Sequence, residues 1–248
     1  MPRYKLTLEY DGTGLVGWQR QKLGLSVQQI VEEAAGALCG RAVIVHGAGR
    51  TDAGVHALAQ AAHLELPRDY APETVRNALN QHIRPHKVAV LTAERVPDTF
   101  DARRSARGRI YLYRILNRRP PAALEAGRVW HVGRALDAAA MADGASHLLG
   151  KHDFSSFRDS LCQARSPVKT LDRLEVTCAD DEIRIEARAR SFLHHQVRNM
   201  VGTLKLVGEG KWRPSDVAAA LEARDRRAGG PTAPAEGLYL VQVVYPGD

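Results

Sequence analysis

Residues 42–66 read AVIVHGAGRTDAGVHALAQAAHLEL, two short apolar runs separated by a glycine-rich loop. The runs, residues 42–46 and 60–66, are bounded by glycine and proline, as β-strands commonly are. The loop, residues 47–54, has three glycines in eight residues. Glycine permits positive φ angles and a close approach of another molecule to the backbone. We therefore predict two strands joined by a loop that a ligand can reach.

The sequence on either side of this stretch completes a βαββαβ order. Ser26 can cap the first helix, with Gln29 three residues later closing a capping box, and Gly40 is a natural end. Pro72 is suited to the first turn of a second helix, which continues to Ile83. Two further strands are predicted, at residues 3–10 and 87–96. This order is typical of the split-βαβ arrangement, a four-stranded sheet with helices on one face.

The second half of the chain repeats this pattern with longer insertions. Strands are predicted at 109–116, 128–131, 170–179, 183–190 and 238–245, and helices at 137–149, 193–207 and 214–223. We predict an α+β chain of two ferredoxin-like, RRM-like halves, residues 1–104 and 105–248. The first half carries the glycine-rich loop and the second a basic strand. The antiparallel sheets of the halves are expected to combine into one mixed central sheet flanked by helices.

The composition indicates a soluble protein with a polyanionic partner. The chain has 35 Lys and Arg against 28 Asp and Glu, a formal charge of +7 and a pI near 9.5. Such an excess favours nucleic acid, because each neutralised phosphate releases counterions. We expect a cytoplasmic protein with no membrane segment, since no secretory signal or long apolar run occurs. Cys39, Cys162 and Cys178 are odd in number and widely spaced, which fits a reducing compartment.

Arg50 and Asp52 are the chemically notable residues of the loop. They are two positions apart, so in an extended loop their side chains emerge on the same side. A neighbouring guanidinium keeps a carboxylate ionised and oriented, which suits it to act as a nucleophile. An aspartate beside glycine is also a common turn residue, and a nearby arginine is commonly its salt-bridge partner. The local pattern leaves both interpretations open.

Arginines are concentrated between residues 103 and 119, where no acidic residue occurs. They are Arg103, Arg104, Arg107, Arg109, Arg114, Arg118 and Arg119. Apolar residues alternate with several of them, so we predict a strand whose edge contacts phosphates. Arg198 extends this track on a helix. The adjacent His194 and His195 have no cysteine or acid at metal-binding spacing, and we interpret them as solvated or packed histidines.

The loop sequence resembles the active-site signature of the TruA family of tRNA pseudouridine synthases. Further segments resemble the same family, in the family's order. They are residues 10–12 (YDG), 17–19 (GWQ), 100–103 (FDAR), 111–115 (YLYRI), 154–157 (FSSF), 166–167 (SP), 192–200 (FLHHQVRNM) and 234–240 (PAEGLYL). The resemblance covers nearly the whole chain.

The resemblance implies the pseudouridine synthase fold and the isomerisation of uridine to pseudouridine at positions 38, 39 and 40 of the tRNA anticodon arm. It assigns Asp52 as the nucleophile, with Arg50 and Tyr111 in the site. Tyr111 would stack on the uracil or transfer a proton, and Leu238 would contact the base. Attack at C1′, attack at C6 and a glycal route all remain open. The resemblance further implies a homodimer, and the reaction requires no cofactor.

Other interpretations remain open on the residues alone. A non-catalytic RRM-like RNA-binding protein explains the charge and the sheets, but it leaves Arg50 and Asp52 without a purpose. A hydrolase that cleaves the glycosidic bond needs a second carboxylate, and Glu65 and Asp69 are near only in sequence. A pseudouridine synthase that acts at other RNA positions is a third alternative.

Overall fold

The structure is a computed structural model that describes residues 1–247. It divides into two compact units. The first contains Met1–Arg107 and the final strand from Tyr239 onward, and the second contains Gly108–Leu238. The sequence placed the final strand in the second half, whereas its contacts lie mainly with the first unit. Within the described residues, no helix is long and apolar enough to cross a membrane.

The strands and helices follow one another closely along the chain. The strands are β1 (Arg3–Tyr10), β2 (Val45–Gly47), β3 (His56–Glu65), β4 (Val88–Val96), β5 (Gly108–Leu116), β6 (Trp130–His131), β7 (Gly150–Asp153), β8 (Val168–Ala179), β9 (Glu182–Ala189) and β10 (Leu238–Val244). The helices are α1 (Val27–Cys39), α2 (Pro72–Ile83), α3 (Ala138–Ser146), α4 (Gln196–Gly208) and α5 (Pro214–Ala223). The predicted α+β class is confirmed.

The sheet of the first unit has the order β4-β1-β3, with β2 and β10 both paired to β3. The β4-β1-β3-β2 part is the predicted split-βαβ order. β2 pairs antiparallel with β3 near Leu64, whereas β10 pairs parallel with the start of β3, Tyr239 opposite His56. The sheet is therefore mixed. Tyr4, Leu6, Leu8 and Tyr10 alternate along β1 into the buried interior, as the pleat of a strand requires.

Local signals set the ends of the helices in this unit. The Ser26 hydroxyl accepts a hydrogen bond of 3.2 Å from the Gln29 amide, and Gly40 ends α1 with φ 69°. The Gln29 side-chain nitrogen donates to Glu33 at 2.8 Å, a bond that runs along the helix. α2 begins with Pro72, as predicted.

The strands that flank the glycine-rich loop differ from the prediction. β3 begins at His56, four residues before the predicted Gln60, and β2 comprises only Val45–Gly47. The cause is that both faces of β3 are largely buried, which removes the alternation by which a strand is recognised. The connection between these strands is therefore residues 48–55 instead of the predicted 47–59, and Asp52 lies closer to a strand end than the sequence indicated.

The sheet of the second unit is antiparallel in the order β5-β9-β8-β7, with β6 parallel to β5. Helix α3 packs on β8 and on α4 and α5. α4 begins at Gln196, three residues later than predicted, because His195 adopts a left-handed conformation with φ 59°. The predicted helix 137–149 ends at Ser146, and the short polar strand β7 that follows it was not predicted.

Candidate active site

In the first unit, Asp52 occupies a tightly bonded loop between β2 and β3. The loop leaves the sheet after Ala48, whose amide donates to the Ala61 carbonyl at 2.8 Å. It returns through a turn in which the Val55 amide donates to the Asp52 carbonyl at 3.2 Å. Arg50 is exposed, Thr51 is buried and Asp52 is half-buried. This alternation matches the extended loop that the sequence predicts at these positions.

Residues 11–18, which we call the bracing segment, lie against this loop. The Trp18 amide donates to the Thr51 carbonyl at 3.1 Å, and the Gly54 amide donates to the Leu15 carbonyl at 3.3 Å. An ideal Cβ on Gly17 would lie 2.4 Å from the Thr51 carbonyl oxygen, so the two backbones touch. Two of the sequence motifs, YDG and GWQ, are thereby placed at the loop.

Polar side chains lie beneath the loop. The hydroxyl groups of Tyr10 and Thr51 are 2.8 Å apart, and the Gln60 amide nitrogen donates to the Gly49 carbonyl at 3.1 Å. Burial raises the pKa of Tyr10 to about 12, although hydrogen bonds from Thr51 and Gln60 act against it. Tyr10 is therefore neutral at physiological pH. These residues were not among the predicted site residues, although Tyr10 and Thr51 lie within the motifs that carry the family resemblance.

Asp11 begins the bracing segment as a stabilised carboxylate. Burial raises its pKa, but hydrogen bonds from Thr13 and Lys87 outweigh burial and hold the pKa well below the usual range. The Asp11 carboxylate accepts from the Thr13 amide at 3.0 Å and lies 3.3 Å from the Lys87 ammonium. These bonds fix the turn by which the chain passes from β1 into the bracing segment.

In the second unit, Tyr111 and Tyr113 have different environments on β5. Tyr111 is half-buried, and its ring lies edge-on to Phe192 with 5.2 Å between the centroids. Tyr113 is fully buried and donates to the Pro234 carbonyl at 2.7 Å. Burial raises the pKa of Tyr113 far above its ordinary value. Tyr111 is thus the tyrosine that a ligand can reach, and Tyr113 is a structural residue.

Acidic residues neutralise part of the predicted phosphate-contacting edge. The Arg114 guanidinium makes two hydrogen bonds to the Glu182 carboxylate, of 3.0 and 2.9 Å, and one of 2.9 Å to Glu125. The pKa of Glu182 is lowered to about 2, chiefly by the bonds from Arg114. Arg118 lies 3.7 Å from Asp181. The acids come from outside residues 103–119, which is why the local sequence did not reveal them.

The other basic residues that were predicted to bind substrate are distributed over both units. Arg103 and Arg107 are exposed at the end of the first unit's long segment. In the second unit, Arg109 donates to the Arg190 carbonyl at 2.7 Å, and Arg198 donates to the Ala233 carbonyl at 2.8 Å. Leu238 is 5% exposed where β10 begins. This burial of Leu238 is compatible with packing in the core and also with contact to a base.

The histidine pair of the second unit has an acidic companion that the sequence did not reveal. Asp159 Oδ2 is 2.8 Å from Nδ1 of His195, and Asp159 Oδ1 is 3.5 Å from Nδ1 of His194. The backbone amide of His194 donates to the Cys162 sulfur at 3.4 Å. Asp159 thus adds a contact to each ring, which the interpretation of these histidines as solvated or packed did not include. Its distance of 36 residues from His195 hid the pairing.

Comparison with known proteins agrees with the motif pattern. A family model described as tRNA pseudouridine synthase matches residues 7–103 and 145–246. The chain is 66% identical to tRNA pseudouridine synthase A of Paramagnetospirillum magneticum over 245 residues, 99% of this chain and 96% of that protein. It is 61% identical to the protein of the same name from Beijerinckia indica, covering 99% of this chain and 95% of that protein.

A third relative, tRNA pseudouridine synthase A of Rhodospirillum centenum, is 63% identical over 99% of this chain and its own full length. The matched residues include the loop with Asp52 and the strand β10. They also include His194, His195 and Arg198 of the second unit. On this likeness over nearly its full length, the chain belongs to the tRNA pseudouridine synthase family.

Proposed function

We propose that this chain isomerises uridine to pseudouridine in the anticodon arm of tRNA, at positions 38, 39 and 40. The reaction breaks the bond from C1′ to N1 and joins C1′ to C5 of the same uracil, so it consumes no redox equivalent and no phosphoryl donor. The observation that carries the proposal is a half-buried aspartate in a loop fixed on both sides, within a chain of this family. A preorganised carboxylate is what attack on a nucleoside requires.

Asp52 is the proposed nucleophile, and the chemistry allows attack at C1′ or at C6, or a glycal route. In each case the target base leaves the helical stack at a cost of a few kcal/mol. The exposed Arg50 is two residues away on the same loop and is proposed to occupy the space of the displaced base. Its cation also contacts phosphate in this role, which offsets part of the cost.

Tyr111 and Leu238 are the proposed contacts to the uracil. The half-buried Tyr111 presents an aromatic ring supported by Phe192, which suits it to stack on a base. Its hydroxyl is the proposed group for proton transfer. Leu238 contributes an apolar surface at the first residue of β10.

The proposed phosphate contacts are Arg103, Arg107, Arg109 and Arg198. The formal charge of +7 supports electrostatic attraction of tRNA. We further propose that the chain acts in the cytoplasm as a homodimer, with the anticodon arm bridging both subunits. Replacing one of these arginines with alanine should weaken tRNA binding and reduce its salt dependence by about one unit of logarithmic slope.

The decisive test is Asp52→Asn, assayed by pseudouridine mapping on purified tRNA. We expect complete loss of pseudouridine, with normal folding and normal tRNA affinity, because the amide keeps the shape and removes the nucleophile. Asp98→Asn is the matched control, since Asp98 is exposed in the same unit. Undiminished product from Asp52→Asn would overturn the assignment of the nucleophile.

The same assay separates the other interpretations. Pseudouridine outside positions 38 to 40 would overturn only the proposed specificity. Release of free uracil without pseudouridine would indicate a hydrolase instead of an isomerase. Binding of tRNA by the unaltered protein without any product would indicate a non-catalytic RNA-binding protein.

A further inference from the structure

Tyr10, Thr51 and Gln60 form a buried polar group beneath the loop that carries Asp52, entirely within the first unit. Tyr10 is 4% exposed, Thr51 7% and Gln60 0%. Tyr10 is the last residue of β1, Gln60 lies within β3, and Thr51 directly precedes Asp52. The group therefore joins two strands of the sheet to the loop.

Hydrogen bonds link the three side chains of this group to one another and to the loop. The Gln60 nitrogen donates to the Gly49 carbonyl at 3.1 Å, which fixes the orientation of the side-chain amide. The same nitrogen lies 3.5 Å from the Tyr10 hydroxyl, which shares a hydrogen bond of 2.8 Å with the Thr51 hydroxyl. The loop is thus held at residue 49 and again at residue 51, next to Asp52.

Filling this buried space with polar side chains stabilises the fold less than apolar side chains of the same volume would. Phenylalanine and valine have nearly the volumes of tyrosine and threonine and would need no buried hydrogen bonds. Within the described residues, Gln60 Oε1 is buried without a hydrogen-bond partner, so the amide is only partly compensated. Buried polar groups cost stability, and they fix one arrangement where apolar packing would tolerate several.

We propose that Tyr10 and Gln60 are positioning residues for Asp52, acting through Thr51 and Gly49. This inference rests on the proposed function, in which Asp52 is the nucleophile. The three side chains lie beneath the backbone of the loop and set the height of the Asp52 carboxylate above the sheet. Displacement of a reacting group by about 1 Å can lower a rate about 100-fold.

The experiment compares Tyr10→Phe with Tyr4→Phe. Both tyrosines are buried on β1, six residues apart, and both hydroxyls are hydrogen-bonded. The Tyr4 hydroxyl accepts from the Tyr70 amide at 2.7 Å, a bond that has no part in holding the loop. We expect Tyr10→Phe to lower kcat about 10- to 100-fold with KM within about twofold. Tyr4→Phe should lower the melting temperature and leave kcat unchanged.

A pair of changes at Thr51 keeps the test decisive if Tyr10→Phe folds poorly. Thr51→Ser retains the hydroxyl and should keep most of the activity, whereas Thr51→Val should lose kcat as Tyr10→Phe does. The double variant of Tyr10→Phe and Thr51→Val should be no slower than the slower single variant, because both remove the same bond.

The outcomes separate this inference from the proposed function. If Asp52→Asn remains active in the same assay, the assignment of the nucleophile fails, and the inference fails with it. If Asp52→Asn is inactive while Tyr10→Phe and Thr51→Val keep normal kcat, only the positioning role is overturned. Equal loss of kcat in Tyr4→Phe and Tyr10→Phe would also overturn the positioning role, because it would show that the buried polar group only stabilises the fold.

Discussion

The backbone amide of Gly12 donates a hydrogen bond of 3.0 Å to Nδ1 of His56. Both residues are buried, and the His56 ring stacks on Tyr239 with 4.7 Å between centroids. Because Nδ1 accepts this bond, it has no proton to give to Asp11 Oδ1, which lies 3.3 Å away. His56 therefore connects the bracing segment to β3 by accepting at Nδ1 from the Gly12 amide.

Replacing His56 with alanine should destabilise the fold. The change leaves the buried Gly12 amide unpaired and removes the ring that stacks on Tyr239, so we expect a loss of about 3 kcal/mol. His56→Asn offers a side-chain oxygen to the same amide and should lose about half as much. Unfolding in urea measures both values. Equal losses in the two variants would show that the bond to Gly12 contributes little.

Comparing alanine substitutions at Gly17 and Gly14 separates the effect of steric overlap with the loop from the effect of backbone strain. Both have positive φ, 96° and 77°, but a Cβ on Gly17 would lie 2.4 Å from the Thr51 carbonyl oxygen, whereas one on Gly14 would have nothing within 4 Å. Gly14→Ala should cost about 1 kcal/mol with normal kcat. Gly17→Ala should cost more and also lower kcat, because the loop with Asp52 must move.

Melting temperature and steady-state kinetics on tRNA check this comparison. A normal kcat in Gly17→Ala, at a temperature where that variant is folded, would contradict the close coupling of the bracing segment to the loop.

Tyr111→Phe should separate stacking from proton transfer. The ring and its edge-on contact with Phe192 remain, while the hydroxyl is lost. If the hydroxyl transfers a proton, the rate of pseudouridine formation should fall about 100- to 10,000-fold with tRNA affinity unchanged. Single-turnover assays on tRNA measure the rate. Near-normal activity would assign Tyr111 to stacking alone.

Glu182 should make the second unit sensitive to acid. Its pKa in the folded chain is lowered to about 2 by the bonds from Arg114, below the ordinary glutamate value. Because its pKa is lower in the folded chain, Glu182 stabilises the fold at pH values above the ordinary glutamate pKa. This stabilisation is lost as the pH falls through about 4 towards 2. Because the side chains are partly exposed, we expect a contribution of about 1 kcal/mol.

Glu182→Gln should therefore narrow the difference in unfolding free energy between pH 6 and pH 3, as measured by urea unfolding. Glu94→Gln is the control, because the exposed Glu94 lies 3.6 Å from a lysine, Lys5, without a bidentate arginine partner. If Glu182→Gln leaves the pH dependence of the unfolding free energy unchanged, the ion pair of Glu182 with Arg114 is not the cause of that dependence.

Local chemistry explains which parts of the fold were predictable. Ser26, Gly40 and Pro72 act on their own backbone neighbours, so the sequence placed the ends of α1 and α2 closely. The left-handed conformation of His195 carries no such signal, since histidine rarely adopts it. The start of α4 was therefore misplaced.

Contacts between distant residues explain what was missed in the candidate site. Arg114 and its partner Glu182 are 68 residues apart, and the Tyr10 and Thr51 hydroxyls are 41 apart. No periodicity or spacing encodes such pairs. The loop with Asp52 was found because its residues are contiguous, and its role came from resemblance spread along the chain, not from the loop chemistry alone.

The pairing of β10 with the start of β3 has a consequence for synthesis of the protein. On the ribosome, residues 56 and 57 emerge long before residues 239 and 240, their parallel partners. The first unit consequently cannot complete its sheet until β10 has been translated, although most of the residues of this unit are made earlier. During that interval residues 56 and 57 at the start of β3 lack their partners in β10, and this exposed edge can pair with other nascent chains unless a chaperone shields it.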